Sequence, residues 1–186
     1  MTRHVFFAGF SLTLSAALTY YVNSSFLTSL VGEGRIGLIY LLGAGGAITL
    51  ILLVPKLGRR YGLLQPIRWF GLIFFGATIT LAISQTRIIQ LIAFIITHAT
   101  VISLGLWLDL YLETLSSNKK TGRIRGGYLT AINAAVLISP YISSSVLRTA
   151  SDNTVGKLDY GIIYLLSSFA VLPLLYQTFF RLVDQP

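Results

Sequence analysis

The chain has no cysteine, which excludes disulfides and cysteine-ligated zinc or iron–sulfur centres. It has only six acidic residues in 186, and two histidines, His4 and His98. No His-Glu-x-x-His helix and no carboxylate cluster is present for metal-type catalysis. An intramembrane serine protease would need a nucleophile with a histidine base, but His98 has no serine in a Gly-x-Ser-Gly setting and His4 is terminal. No glycine-rich loop ends in Lys-Ser or Lys-Thr to cradle a phosphate. The expectation is a protein that is not an enzyme and holds no metal or cofactor.

What the chain does have is apolar sequence. It is 54% hydrophobic and 11% charged, and its charges fall between long apolar stretches, the pattern of an all-α polytopic membrane protein. The net charge of +8 would suit a nucleic acid, but the bases form no stripe interleaved with stacking aromatics, so no nucleic-acid partner is expected. The lipid bilayer is the first partner.

Six segments are long enough, or nearly so, to cross about 30 Å of hydrocarbon. They run Val5–Val22, Ile36–Val54, Trp69–Ser84, Ile88–Leu112, Gly127–Leu147 and Tyr160–Phe180. The third is short and can borrow Pro66 to Arg68, with Arg68 snorkelling to the interface. The first, with Arg3 and the small run Ser15-Ala16-Ala17, could also serve as a secretory signal peptide, whose removal would leave five spans.

An inner amino terminus puts ten cations inside, Arg3, Lys56, Arg59, Arg60, Arg68, Lys119, Lys120, Arg123, Arg125 and Arg181. Four stay outside, Arg35, Arg87, Arg148 and Lys157. That bias predicts an integral protein of a cell membrane with both termini cytoplasmic. Tyr20, Tyr21, Trp69, Tyr160 and Tyr176 stand near span ends as interfacial anchors. The longer loops, Asn23 to Arg35, Thr114 to Gly126 and Arg148 to Asp159, are too small for a soluble domain. Residues 1–186 are thus one membrane domain, divisible into three-helix units 1–84 and 85–186, although no self-similarity links the two.

Between the second and third spans the chain reads Val54-Pro55-Lys56-Leu57-Gly58-Arg59-Arg60-Tyr61-Gly62, which predicts a two-glycine bend rich in cations. Taken alone, it would serve as an ordinary positive-inside anchor. Lys56, Gly58, Arg59 and Arg60 resemble, in register, the signature loop of the major facilitator superfamily (MFS) of transporters. The family's aspartate falls on Pro55 and its leading glycine on Ile51. A second resemblance begins at Gly126, where the small residues Ala135, Ser139, Ser143 and Ser144 and the proline Pro140 follow the family's fifth-helix motif. Small residues at helical spacing let backbones approach, and Pro140 is expected to kink the span while neighbouring helices reseat the freed carbonyl.

Asp109 and Glu113 lie four apart, on one face at the end of the fourth span. With Arg59, Arg60, Arg123 and Arg125 as candidate partners, they are expected to form a rim network that breaks and re-forms with access state, standing in for the aspartate missing at Pro55. The alternative is a solvated helix end. His98 and Asn133 are the costliest polar groups within spans and are the expected cavity lining; no acid lies at midplane, which favours an apolar or weakly polar substrate. Gly43-Ala44-Gly45-Gly46 reads as helix packing, and Asn23-Ser24-Ser25 as an outward-facing glycosylation sequon.

The resemblance implies a 3+3 bundle equal to the amino-terminal half of a transporter, working by rocker-switch alternating access on an unknown small molecule. The partner it implies is a second six-helix half, supplied by a missing carboxyl-terminal half, a split partner or a homodimer copy. The second span and the Ser139 to Ser144 face are expected to dock it. The competing class is a non-transporting six-helix scaffold or assembly protein.

Overall fold

The computed structural model describes residues 2–115, 121–149 and 157–183; Lys119 and Lys120 lie outside the described residues, as do the side chains of Arg148 and Lys157. The described residues form helices α1 (Thr2–Val31), α2 (Ile36–Leu52), α3 (Val54–Tyr61), α4 (Leu64–Ile83), α5 (Arg87–Thr114), α6 (Thr121–Thr149) and α7 (Lys157–Phe180). A 3-10 turn, Glu33–Arg35, joins α1 to α2. All but α3 are long and apolar enough to cross a membrane, and the chain is an integral membrane protein by that measure.

Two expectations about local structure are corrected and one is met. The first span does not end at Val22; α1 continues to Val31 because Phe26, Leu27 and Leu30 extend its buried face against Tyr160 and Tyr164. The sequence Asn23-Ser24-Ser25 is therefore helical, and Thr28 donates to the Ser24 carbonyl at 2.9 Å. The third span does borrow residues, starting at Leu64 with Pro66 in the first turn, where its missing N–H costs no ladder bond. The basic stretch is a two-turn helix rather than a two-glycine bend, and only Gly62, at φ 74, makes the turn.

Helix α1 is the axis of the bundle, with 61% of its span buried against 17% for α2 and for α6. It packs on α7 and α6 and more lightly on α5; α4 lies between α5 and α7, and α2 rests on α5. Apolar side chains fill the two ends separately. Val5, Ile67, Phe74, Trp107, Tyr111 and Leu174 gather at one, Phe26, Leu81, Phe94, Ile163 and Tyr164 at the other.

Between these clusters α1 and α7 are joined by hydroxyls. Ser15 Oγ donates to the Ser167 carbonyl at 2.7 Å, and Ser167 Oγ returns a bond to the Ser15 carbonyl at 2.8 Å. One turn along, Ser11 Oγ donates to the Ala170 carbonyl and accepts the Leu174 N–H at 3.2 Å. It is inserted into the α7 ladder beside Pro173, where the ladder is already one donor short. On the other side of α1, Ser143 of α6 donates to the Leu18 carbonyl at 2.8 Å.

Glycines mark the closest helix approaches. A Cβ on Gly161 of α7 would sit 2.9 Å from the Ala82 carbonyl oxygen of α4, whereas one on Gly45 of α2 would meet nothing within 4 Å. Gly161→Ala is therefore expected to cost ~1–3 kcal/mol through overpacking, and Gly45→Ala to be neutral or stabilising by up to about 1 kcal/mol. Ser15→Ala or Ser11→Ala should cost ~0.6–1.7 kcal/mol, the usual range for interhelical bonds in membranes. Reversible unfolding in mixed micelles checks all four.

Candidate functional site

Alternating spans bring one end of α1, α2, α4, α5, α6 and α7 to the same side of the bundle, where α3 packs on α4 and α2. Contacts across this end confirm the grouping: His4 donates from Nδ1 to Gln177 Oε1 at 2.8 Å, and Tyr111 donates to the Val183 carbonyl at 2.8 Å. Arg3, Lys56, Arg59, Arg60, Arg68, Arg123, Arg125 and Arg181 lie here among the described residues, against the carboxylates of Asp109 and Glu113. It is the basic end of the bundle.

In α3, positions 54, 57, 58 and 61 share one face, and Val54 and Leu57 pack on the cluster around Trp107. Gly58 lies against the Trp107 ring, where an added Cβ would be in ordinary contact at 3.7 Å. Lys56, Arg59 and Arg60 are exposed on the other face. Arg59 Nε donates to the Pro55 carbonyl at 3.1 Å, so the position where the family has its acid offers a backbone acceptor instead. The Arg60 guanidinium lies 5.2 Å from the Tyr61 ring centre, and Tyr61 meets Trp69 edge-on at 5.0 Å.

The carboxylates take a different arginine. Arg125 Nη2 is 3.1 Å from Asp109 Oδ2 and 4.0 Å from Glu113 Oε2, which places both acids on one face as their spacing requires. Arg59, Arg60 and Arg123 make no ion pair among the described residues. The three partners are about half exposed, so the link is a solvated one worth at most about 1 kcal/mol. Arg68 does not snorkel free: its Nε donates to the Thr178 carbonyl at 2.8 Å, satisfying an orphan acceptor at the end of α7, and its guanidinium lies over Phe179.

The fifth-helix motif divides between two faces of α6. Ala135, Ser139 and Ser143, at spacing four, are buried, and Ser143 bonds to α1 as described. They fill the α1–α6 contact and cannot dock another half, contrary to the expectation for the Ser139 to Ser144 face. Pro140 removes the N–H that would bond the Val136 carbonyl; Ser139 Oγ replaces it at 3.0 Å, so the repair comes from the preceding residue rather than a neighbouring helix. Gly126 is exposed, and Ser144 donates to its own helix at Tyr141. In α2 likewise, Gly43 and Gly46 face His98 and Ala99 of α5, while Gly45 faces outward.

His98 and Asn133 are not brought together. His98 is half-buried, stacked on Phe94 and edge-on to Tyr40 with centroids 5.4 Å apart. It lines a cavity of about 30 Å³ with Thr19, Asn23, Thr97 and Tyr164, room for about two waters. Tyr164 donates to Asn23 Oδ1 at 2.8 Å, and the buried Thr97 hydroxyl has no partner. Asn133 instead is exposed on α6, in line with Gly126, Thr130 and Leu137. The sequence reading missed Asn23 and Tyr164 as site residues. The available signal was the helical repeat Thr19, Val22, Phe26, Leu30, which carries α1 past Asn23 and turns that amide inward.

No family model and no curated protein matches this chain.

Replacing Arg125 with Gln or Asp109 with Asn is expected to cost under about 1 kcal/mol, with coupling in a double-mutant cycle that about 1 M salt removes. The same cycle between Arg59→Gln and Asp109→Asn should give zero coupling. Gly43→Leu should displace the His98 ring, readable in the chemical shift of its imidazole protons, whereas Gly45→Leu should not.

Proposed function

We propose that the chain is one six-helix half of a rocker-switch secondary transporter of the MFS type, moving an apolar or weakly polar small molecule between itself and a second six-helix half. The observation that carries this reading is a regularity in which helices touch. Exchanging α1, α2, α4 with α5, α6, α7 turns the α1–α7 contact into α5–α4 and the α1–α6 contact into α5–α2. It also maps α4–α7 and α1–α5 onto themselves. Every extensive contact has its counterpart, as two inverted three-helix repeats within a transporter half would produce.

The charge pattern supports an inward basic end and cytoplasmic termini. The outward faces of α2 and α6 support a missing partner. Asn133 lies near the middle of the Gly122–Leu147 span, where an amide facing lipid is costly and one facing protein or a water-filled cavity is not. On this reading Asn133 faces the second half, His98 contributes from the first, and the Arg125–Asp109–Glu113 link between α5 and α6 closes the cytoplasmic rim in one access state. The two faces suit a split partner or a second copy of the chain equally in orientation, because an even number of spans inserts both alike.

The absence of native cysteine makes access measurable. In proteoliposomes, Asn133→Cys is expected to react with a membrane-impermeant maleimide, and adding Arg125→Gln should change that rate severalfold. Phe169→Cys, on the exposed face of α7, should stay unreactive. Equal reactivity at the two positions, together with no saturable flux from the chain alone or with its genomic neighbour, would replace transport with a scaffold.

A further inference from the structure

We propose that the outer face of α3 binds the phosphate headgroup of an anionic phospholipid, with Lys56, Arg59 and Arg60 as donors. The inference does not depend on transport and holds equally for a scaffold. It starts from where the cations of the basic end are spent. Arg125 is held by both carboxylates, and Arg68 by the end of α7 and the Phe179 ring. Lys56, Arg59 and Arg60 have no carboxylate within ion-pair distance among the described residues, so no described acid compensates their charge.

Their placement matches a headgroup. Residues 56, 59 and 60 stand at i, i+3 and i+4 on one face of a helix whose other face is held on Trp107, so the three cations converge on a firm support. The Pro55 carbonyl engages only Nε of Arg59, leaving its terminal nitrogens for bidentate contact with a phosphate. The Arg60 guanidinium lies over the Tyr61 ring, a cation–π contact that leaves its N–H donors unspent on any carboxylate among the described residues. Immediately beside them are exposed apolar and interfacial side chains, Leu52, Leu53 and Trp69. A free phosphate would have no use for these, whereas the glycerol and acyl chains of a lipid would cover them. The occupant that meets both requirements is an anionic lipid of the adjoining leaflet.

The test uses the purified full chain in nanodiscs of phosphatidylcholine with and without phosphatidylglycerol, counting retained lipid by native mass spectrometry and following the thermal midpoint. Wild type should retain phosphatidylglycerol and melt higher in its presence. Lys56→Gln, Arg59→Gln and Arg60→Gln together should lower retention on the order of a hundredfold, about fivefold per cation, and abolish the rise in midpoint. Arg59→Lys with Arg60→Lys should keep most of the binding, which separates loss of charge from loss of fold. Arg35→Gln with Arg87→Gln, at the other end, should change nothing. Undiminished retention in the triple variant, or an equal loss in the Arg35 and Arg87 variant, would overturn the site. Equal protection by inorganic phosphate in phosphatidylcholine discs would overturn the lipid assignment.

Discussion

The bundle depends on one constraint, that polar backbone groups inside an apolar core must find partners, because hydrocarbon offers none. The α1–α7 seam answers it with serines. Pro173 leaves the α7 ladder one donor short, and Ser11 enters beside it as donor and acceptor at once. Ser15 and Ser167 exchange bonds a turn away. Because the bonded groups lie on different helices, each bond also fixes the distance and register of α1 against α7. The α4–α7 contact, with Gly161 against the Ala82 carbonyl, then positions α4, and α4 in turn carries α5.

Charge is handled by a different rule at the ends. Where helices leave the apolar layer, cations are used to finish carbonyl ends and to hold neighbouring helices at modest strength. Arg68 caps α7, Arg59 bonds within α3, and Arg125 spans to α5. The Arg125 link is exposed enough to break cheaply. The serine seam is buried, and its bonds break less readily. The division between a rigid centre and a loosely tied end follows from solvent alone, since the same kind of bond is strong where water is absent and weak where it competes.

Much of the fold was legible from hydropathy. Six spans and the extension of α4 toward Arg68 follow from apolar run length and the alternation of charge. The length of α1 was misread because Asn23, Ser24 and Ser25 look like a loop, yet helical side chains can bond inward or to the preceding turn. The basic loop reads as a bend because two glycines suggest flexibility, whereas Gly58 lies within a helix beside Trp107 and only Gly62 turns the chain. Of the candidate site, Asp109 and Glu113 were correctly placed on one face, but the choice among four arginines was not readable. Reach between helices decides it.

By itself the sequence determined that the chain is a helical membrane protein, which segments span, and which end is basic. Those properties depend on composition and order along one dimension, and hydrocarbon reads them segment by segment. Only the tertiary structure decided which small residues face α1 and which face outward, which arginine meets the acids, and that Asn23 rather than Asn133 joins His98 at the cavity. Each of those outcomes depends on how a helix is rotated about its own axis, and that rotation is set by partners distant in the chain.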